Sequence, residues 1–387
     1  MPPTTADFEQ PSEAKIARAI AQLLALRDAD RAVIELIALG PRVIPPLREF
    51  LLQHRPSGIY QPARDAVFVL ASLHADDALM EYLAQAVETD IADPADRTGE
   101  DAIVNAAARA LRHRRDDACF ALLMTFAGQR PLGGVIEALG EMGREAAIPR
   151  LIEGLASDFT RHVASAALTK FGARARPALL ETALTPKPSA ESESATSHAT
   201  RQSAVGVLSE IGVTLQEWSR LRPLAEASDT RLAALTWRLA LVTAQPLLDR
   251  ETAIRGLIRL LKSSDWLLTM QIEGWLAQHH ELAIRIISQA VDRGDSTVND
   301  ETVRRSLLRV IASVATTELS ASPSADLAQP PSRPRGKEAP DGTHVMGQRD
   351  ATNCPSKGKN VNNTHAFPGP RLLKGLAILS HAAPRTH

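Results

Sequence analysis

The densest run of basic residues in the first 317 positions is Arg112-His113-Arg114-Arg115, and Asp116 and Asp117 follow it directly. Such a run can hold an anion or an acidic peptide, or it can be neutralised by its own neighbours at a wet turn. The two aspartates favour local ion pairs. Arg174 and Arg176 occupy a second turn, in GARARP. Arg255 and Arg259 stand four apart with Lys262 three residues further, a spacing that shares one helix face and could make a positive stripe. Trp218, Trp237, Trp266 and Trp275 all fall in the second half, near Arg220, Arg222, Arg255 and Arg259. Aromatics among arginines suit stacking on bases, but tryptophans in helical arrays more often serve packing.

None of these groups forms a recognised catalytic set. There is no phosphate-cradling G-x-x-x-x-G-K or G-x-G-x-x-G, no H-E-x-x-H, no C-x-x-C and no G-x-S-x-G nucleophile elbow. The two cysteines, Cys119 and Cys354, cannot build a disulfide framework or a four-ligand zinc site, which fits a reducing cytosol. No metal and no cofactor is expected. With 44 Lys and Arg against 45 Asp and Glu, the chain has no global attraction for phosphate, and a nucleic-acid partner is not expected. The charge is uneven, however: residues 1–100 carry 9 basic against 16 acidic groups, and residues 318–387 carry 9 against 5. The first residues lack the basic and apolar regions of a signal peptide. No apolar run reaches the roughly 18 residues of a membrane span. A cytoplasmic protein without a span is expected.

Internal repeats set the elements that carry these residues. Aromatics make up only 4% of the chain, while Ala and Leu recur throughout, a balance suited to close helix packing. One pattern returns in IELIALGPRVIPPLREFL (34–51), IEALGEMGREAAIPRLIEGL (136–155) and ASAALTKFGARARPALLETAL (164–184). Gly40, Gly143 and Gly172 stand where the first helix ends, and Pro45, Pro149 and Pro177 stand in the first turn of the second. Leu47, Leu151 and Leu179 follow two residues later and should face the core. Weaker copies put His74, Arg112 and Gly212 at the glycine position. The intervals between these six positions are 34, 38, 31, 29 and 40 residues, within the span of about 30–47 that helix-pair repeats occupy. Two further pairs follow, around 230–262 and 265–292, and one last helix over 298–317.

The Leu-x-x-apolar-Gly and Pro-x-Leu signature resembles HEAT repeats, including the short variety first associated with phycobilisome lyases, over about residues 12–317. The paired Trp/Leu-Gly/Tyr signature of tetratricopeptide repeats is missing, and the short intervals suit two helices better than the three of an armadillo repeat. The resemblance implies an all-α fold: a right-handed, armadillo-like α-solenoid of about eight antiparallel helix pairs. The expected organisation is a flexible N-terminus at 1–11, the array at 12–317 with a polar loop insertion at 184–200, and a disordered tail at 318–387. Within that tail, RLLKGLAILSHAA (371–383) is the apolar segment, read as part of a fluctuating end, with a docking peptide as the alternative.

Function follows from the resemblance alone. Deoxyhypusine hydroxylases with this type of repeat hold two irons through several His-Glu pairs; this chain has one such pair, His280-Glu281. DNA glycosylases of the HEAT-like type need a basic groove, which the neutral balance argues against. A bilin lyase would need a pigment pocket, for which no further feature is seen. The expectation is therefore a non-catalytic scaffold or adapter that binds a protein or peptide on its concave face. The candidate contacts are Arg150, Trp218, Arg222, Arg255, Arg259 and Arg285, taken as exposed residues of second helices. The alternatives are an enzyme or enzyme accessory of the lyase or glycosylase type, and a non-catalytic nucleic-acid binder.

Overall fold

The computed structural model describes residues 13–25, 28–186, 194–243 and 247–321. The expected flexible N-terminus, most of the expected disordered tail and its segment 371–383 lie outside these residues. The described residues contain helices and turns and no strand. They fall into two compact units that divide after Leu257.

The first unit opens with α1 (Glu13–Leu23), α2 (Ala29–Leu39), α3 (Ile44–Leu52), α4 (Gln61–Ser72), α5 (Asp76–Glu88), α6 (Pro94–Ala110) and α7 (Asp117–Gln129). It continues through α8 (Gly133–Met142), α9 (Ile148–Gly154), α10 (Arg161–Phe171), α11 (Arg176–Leu184), α12 (Ala195–Ile211), α13 (Leu215–Leu221) and α14 (Thr230–Val242), and ends within α15 (Leu247–Leu260). Two ladders of contacts organise it. The even-numbered helices α2 to α14 pack each on the next even-numbered one, and the odd-numbered helices α3 to α13 do the same. Each repeat therefore buries its apolar face against its sequence neighbours, the nearest-neighbour packing of a helical repeat array.

Local sequence explains the alternation. Gly40, Gly143, Gly172 and Gly212 end first helices with φ of 71, 67, 57 and 76°, a left-handed region that side chains with a Cβ resist. His74 fills the same position with φ 55°. Arg112 does not: the chain leaves α6 through a 3-10 turn at Leu111–His113 and then extends at Arg114. That right-handed exit avoids the strain an arginine would meet in the left-handed region. Pro45, Pro149 and Pro177 sit in the first turns of α3, α9 and α11, and Leu47, Leu151 and Leu179 behind them are fully buried. The polar stretch at 184–200 is only partly loop. Residues 187–193 lie outside the described set, but α12 already starts at Ala195, where the Ser194 hydroxyl accepts from the Ser197 amide at 3.1 Å.

The second unit begins at Ile258, in the last turn of α15. It holds α16 (Trp266–Gln278), α17 (His280–Asp292), the single turn α18 (Ser296–Asn299) and α19 (Glu301–Ala321). Here α16 packs on α17 and α19, and α17 packs on α18 and α19. From α2/α3 to α16/α17 the described helices make eight successive pairs in chain order.

Candidate functional site

Three arrangements of side chains could carry function: a ladder of ion pairs along the turns, a buried polar cluster, and an exposed groove. The ladder absorbs four of the basic residues singled out in the sequence, His113, Arg114, Arg174 and Arg176. Arg114 bonds Asp116 locally at 2.7 Å but also reaches Asp77, at the start of α5, at 2.8 Å. His113 lies 2.8 Å from Asp76. One repeat later Arg144 bonds Asp117 at 2.6 Å, donates to the carbonyl oxygen of Arg115 and stacks over the Phe120 ring at 4.8 Å. Arg174 reaches the carbonyl of Gly143 at 3.3 Å and lies over the Phe171 ring. Arg176 pairs with Glu217 at 3.2 Å. The turn arginines thus join consecutive repeats.

The buried cluster lies where the end of α3 meets α5 and α6. The Tyr82 hydroxyl donates to Glu100 Oε1 at 2.5 Å, and His54 Nε2 lies 4.0 Å from Glu100 Oε2. Glu100 is 3% exposed. Burial pushes the Tyr82 phenol far above its ordinary value, helped by the Glu100 charge. Burial also holds His54 below its ordinary value against the pull of Glu100. The imidazole is therefore neutral at pH 7 beside the carboxylate. The grooves along α3, α4 and α5 are lined by other residues.

The groove lies between α4 and α6. Its floor is Ala71, Ala106 and Ala110, and Phe68, 58% exposed, forms one wall. Small residues on both helices leave the depression that Phe68 overlooks. Arg64, Arg109 and Arg112 surround it. Arg109 and Arg112 share Glu137 of α8, at 3.0 and 3.5 Å, while Arg64 lies 3.6 Å from Asp65. Burial pushes the Asp65 carboxyl up, against the lowering effect of Arg64. On the neighbouring α2, Ile34 is 70% exposed. The lining offers an apolar wall and guanidinium donors but no Ser, Thr, Cys, His or Lys side chain. Chemically it can hold an apolar side chain beside a carboxylate or carbonyl.

The residues singled out from sequence do not assemble such a site. Trp218 is buried, as are Trp237 and Trp275, so its expected exposure is wrong: its position on α13 turns the indole into the packing between helices. Arg150 bonds Glu153 at 2.7 Å and lies against Gly128 of α7, Arg222 stands 4.0 Å from Asp249, and Arg255 pairs with Glu251 at 3.6 Å. Arg259 and Arg285 are exposed on α15 and α17. Carboxylates interrupt the expected stripe, because Lys262 pairs with Asp300 at 3.5 Å. Phe68 is hard to find in the sequence because it stands inside the apolar run AVFVLA of α4. Its neighbours Ala66, Val67, Val69 and Leu70 are all buried, and only a helix with more apolar residues than one face can bury would have signalled it.

Among the described residues no helix is long and apolar enough to cross a membrane, and no three His, Cys, Asp or Glu side chains are placed to hold a metal ion. A search of curated proteins finds none that matches the chain. Residues 133–157, from α8 through the Gly143 turn and α9, match the family model described as the PBS lyase HEAT-like repeat. Joined to the two ladders of helices around it, that match supports membership of the HEAT-repeat family for this chain.

Proposed function

We propose that the protein is a non-catalytic adapter whose groove between α4 and α6 receives a protein segment. The observation that carries this reading is the exposed Phe68 over an alanine floor, walled by three arginines. A large exposed aromatic beside guanidinium groups is the composition of a protein-contact centre rather than of a solvated helix face. The fitting segment places an apolar side chain against Phe68 and a carboxylate near Arg109 and Arg112. There it competes with Glu137 for guanidinium donors. Arg150, Arg222, Arg255, Arg259 and Arg285 remain proposed polar contacts, whereas Trp218 is not among them because it is buried.

The test is affinity capture on the immobilised full chain, wild type against Phe68→Glu, with partners identified by mass spectrometry. Phe68 is exposed, so the variant should keep its helicity and melting temperature. The expected outcome is a partner that the wild type retains reproducibly and the variant loses by at least about tenfold, as for a contact at the centre of an interface. An identical set of proteins on both surfaces would overturn the assignment of the groove.

A further inference from the structure

In the second unit, α16 shows an unusual outer face. Its inner side, Leu268, Thr269, Ile272, Trp275 and Leu276, is buried. Its outer side carries Trp266 at 73%, Leu267 at 44% and Met270 at 56% exposure, and exposed Gly274. The helix, WLLTMQIEGWLAQ, has a single charged residue, Glu273. That carboxylate is turned to α19, where Arg309 donates to it at 3.0 and 2.6 Å. An exposed helix face without charge and with three large apolar side chains is what interface centres look like and what soluble surfaces avoid.

The spacing on that face says what covers it. Trp266, Met270 and Gly274 follow at four-residue steps, so they lie along one side of the helix about 6 Å apart. The largest side chain stands at one end and the smallest at the other, with Met270 midway. At Gly274 a Cβ would meet nothing within 4 Å, so the backbone is open there. If a second α16 is laid antiparallel with the twofold axis at Met270, each indole falls opposite the other copy's glycine. Large meets small twice, and Met270 meets Met270. A twofold interface requires this kind of self-complementary patch.

We infer that the α16 face pairs two copies of this chain, antiparallel, with Trp266 of each seated at Gly274 of the other. The inference is independent of the groove between α4 and α6, because it rests on a different unit and different residues.

Sedimentation equilibrium of the full chain over a concentration series tests it. Wild type should dimerise. Trp266→Ala and Gly274→Trp should each raise the dissociation constant by at least about tenfold, the former by removing the anchor and the latter by opposing two indoles. The double variant Trp266→Ala/Gly274→Trp exchanges large for small on both copies and should restore the dimer, an outcome that misfolding of either single variant could not produce. Met270→Cys in a Cys354→Ser background should yield a disulfide-linked dimer under mild oxidation, since the axis brings the two sulfurs together. A wild type that is monomeric at every concentration overturns the inference, as does a dimer that both single substitutions leave intact. A monomer in which deletion of residues 371–383 increases oxidation of Met270 also overturns it, by assigning the face to that segment of the same chain.

Discussion

His74 is the residue whose type and backbone conformation disagree most usefully. It has φ 55°, and every other positive-φ residue of the described set is glycine. A side chain in this region costs about 1–2 kcal/mol, whereas glycine adds a chain-entropy cost of about 0.5–1 kcal/mol on folding. Strain outweighs entropy here, so His74→Gly should stabilise the protein by about 0.5–1 kcal/mol. Gly143→Ala is the converse. At φ 67° with nothing within 4 Å of an added Cβ, the change tests backbone strain without steric overlap and should destabilise by about 1 kcal/mol. Urea denaturation of both variants checks the pair, and the reading fails if the two shifts share a sign. The four turn glycines were legible in the sequence because a left-handed exit leaves few residues to choose from. Trp218 was not, because whether an indole on a second helix is buried depends on the helix that faces it.

Among the elements, the turns carry more than connection. Their arginines reach acidic residues of the neighbouring repeat, so the partners lie far apart in sequence: 27 residues for Arg144 and Asp117, 37 for Arg114 and Asp77. The sequence displays Arg112–Arg115 beside Asp116 and Asp117, and only the pair between Arg114 and Asp116 is made as that adjacency suggests. Asp117 belongs instead to Arg144. The helix pairs and their order were readable from periodicity, since that signal is local. The rungs between them were not, since they appear only once the repeat length is converted into stacking. Asp117 is 96% exposed, so its charge adds little in water. Arg144 does more, because it also covers the Phe120 ring and donates to the Arg115 carbonyl. Arg144→Ala should therefore destabilise the first unit by about 1 kcal/mol, while Asp117→Asn should leave the denaturation midpoint unchanged. Equal losses in the two variants would show that the rung is only an ion pair.

For the molecule as a whole, the balance of ion pairs and buried groups sets a direction of pH dependence. Hydrogen bonds from Arg114, Lys170 and Arg48 hold Asp116, Glu141 and Glu81 below their ordinary carboxylate values. A depressed carboxylate contributes stability that is present above its unfolded value and lost as pH falls through the folded one. His54 acts in the same direction for a different reason. Burial lowers it from 6.5, so the unfolded chain takes up its proton first and stability declines as pH falls through that value. Asp65 and Asp101 oppose the trend at low pH, because burial raises both and the folded state favours their neutral forms. Tyr82, raised by burial, resists ionisation in the fold, so stability declines again once pH rises above the ordinary phenol value of 10.0. Burial likewise pushes the Cys119 thiol from 9.0 up to about 11, so the expected profile is a plateau between about pH 7 and 9, with a first acid decline beginning near 6.5 and a second in the carboxylate range. His54→Gln separates the two acid steps, because glutamine stays neutral and can donate toward Glu100. The first decline should disappear in this variant, while the second stays where the exposed pairs put it. Only the second should weaken in high salt, since screening reaches surface pairs far more than a buried imidazole. Urea midpoints measured across pH at two salt concentrations read both steps. A first decline that persists in His54→Gln would remove the buried cluster as its cause.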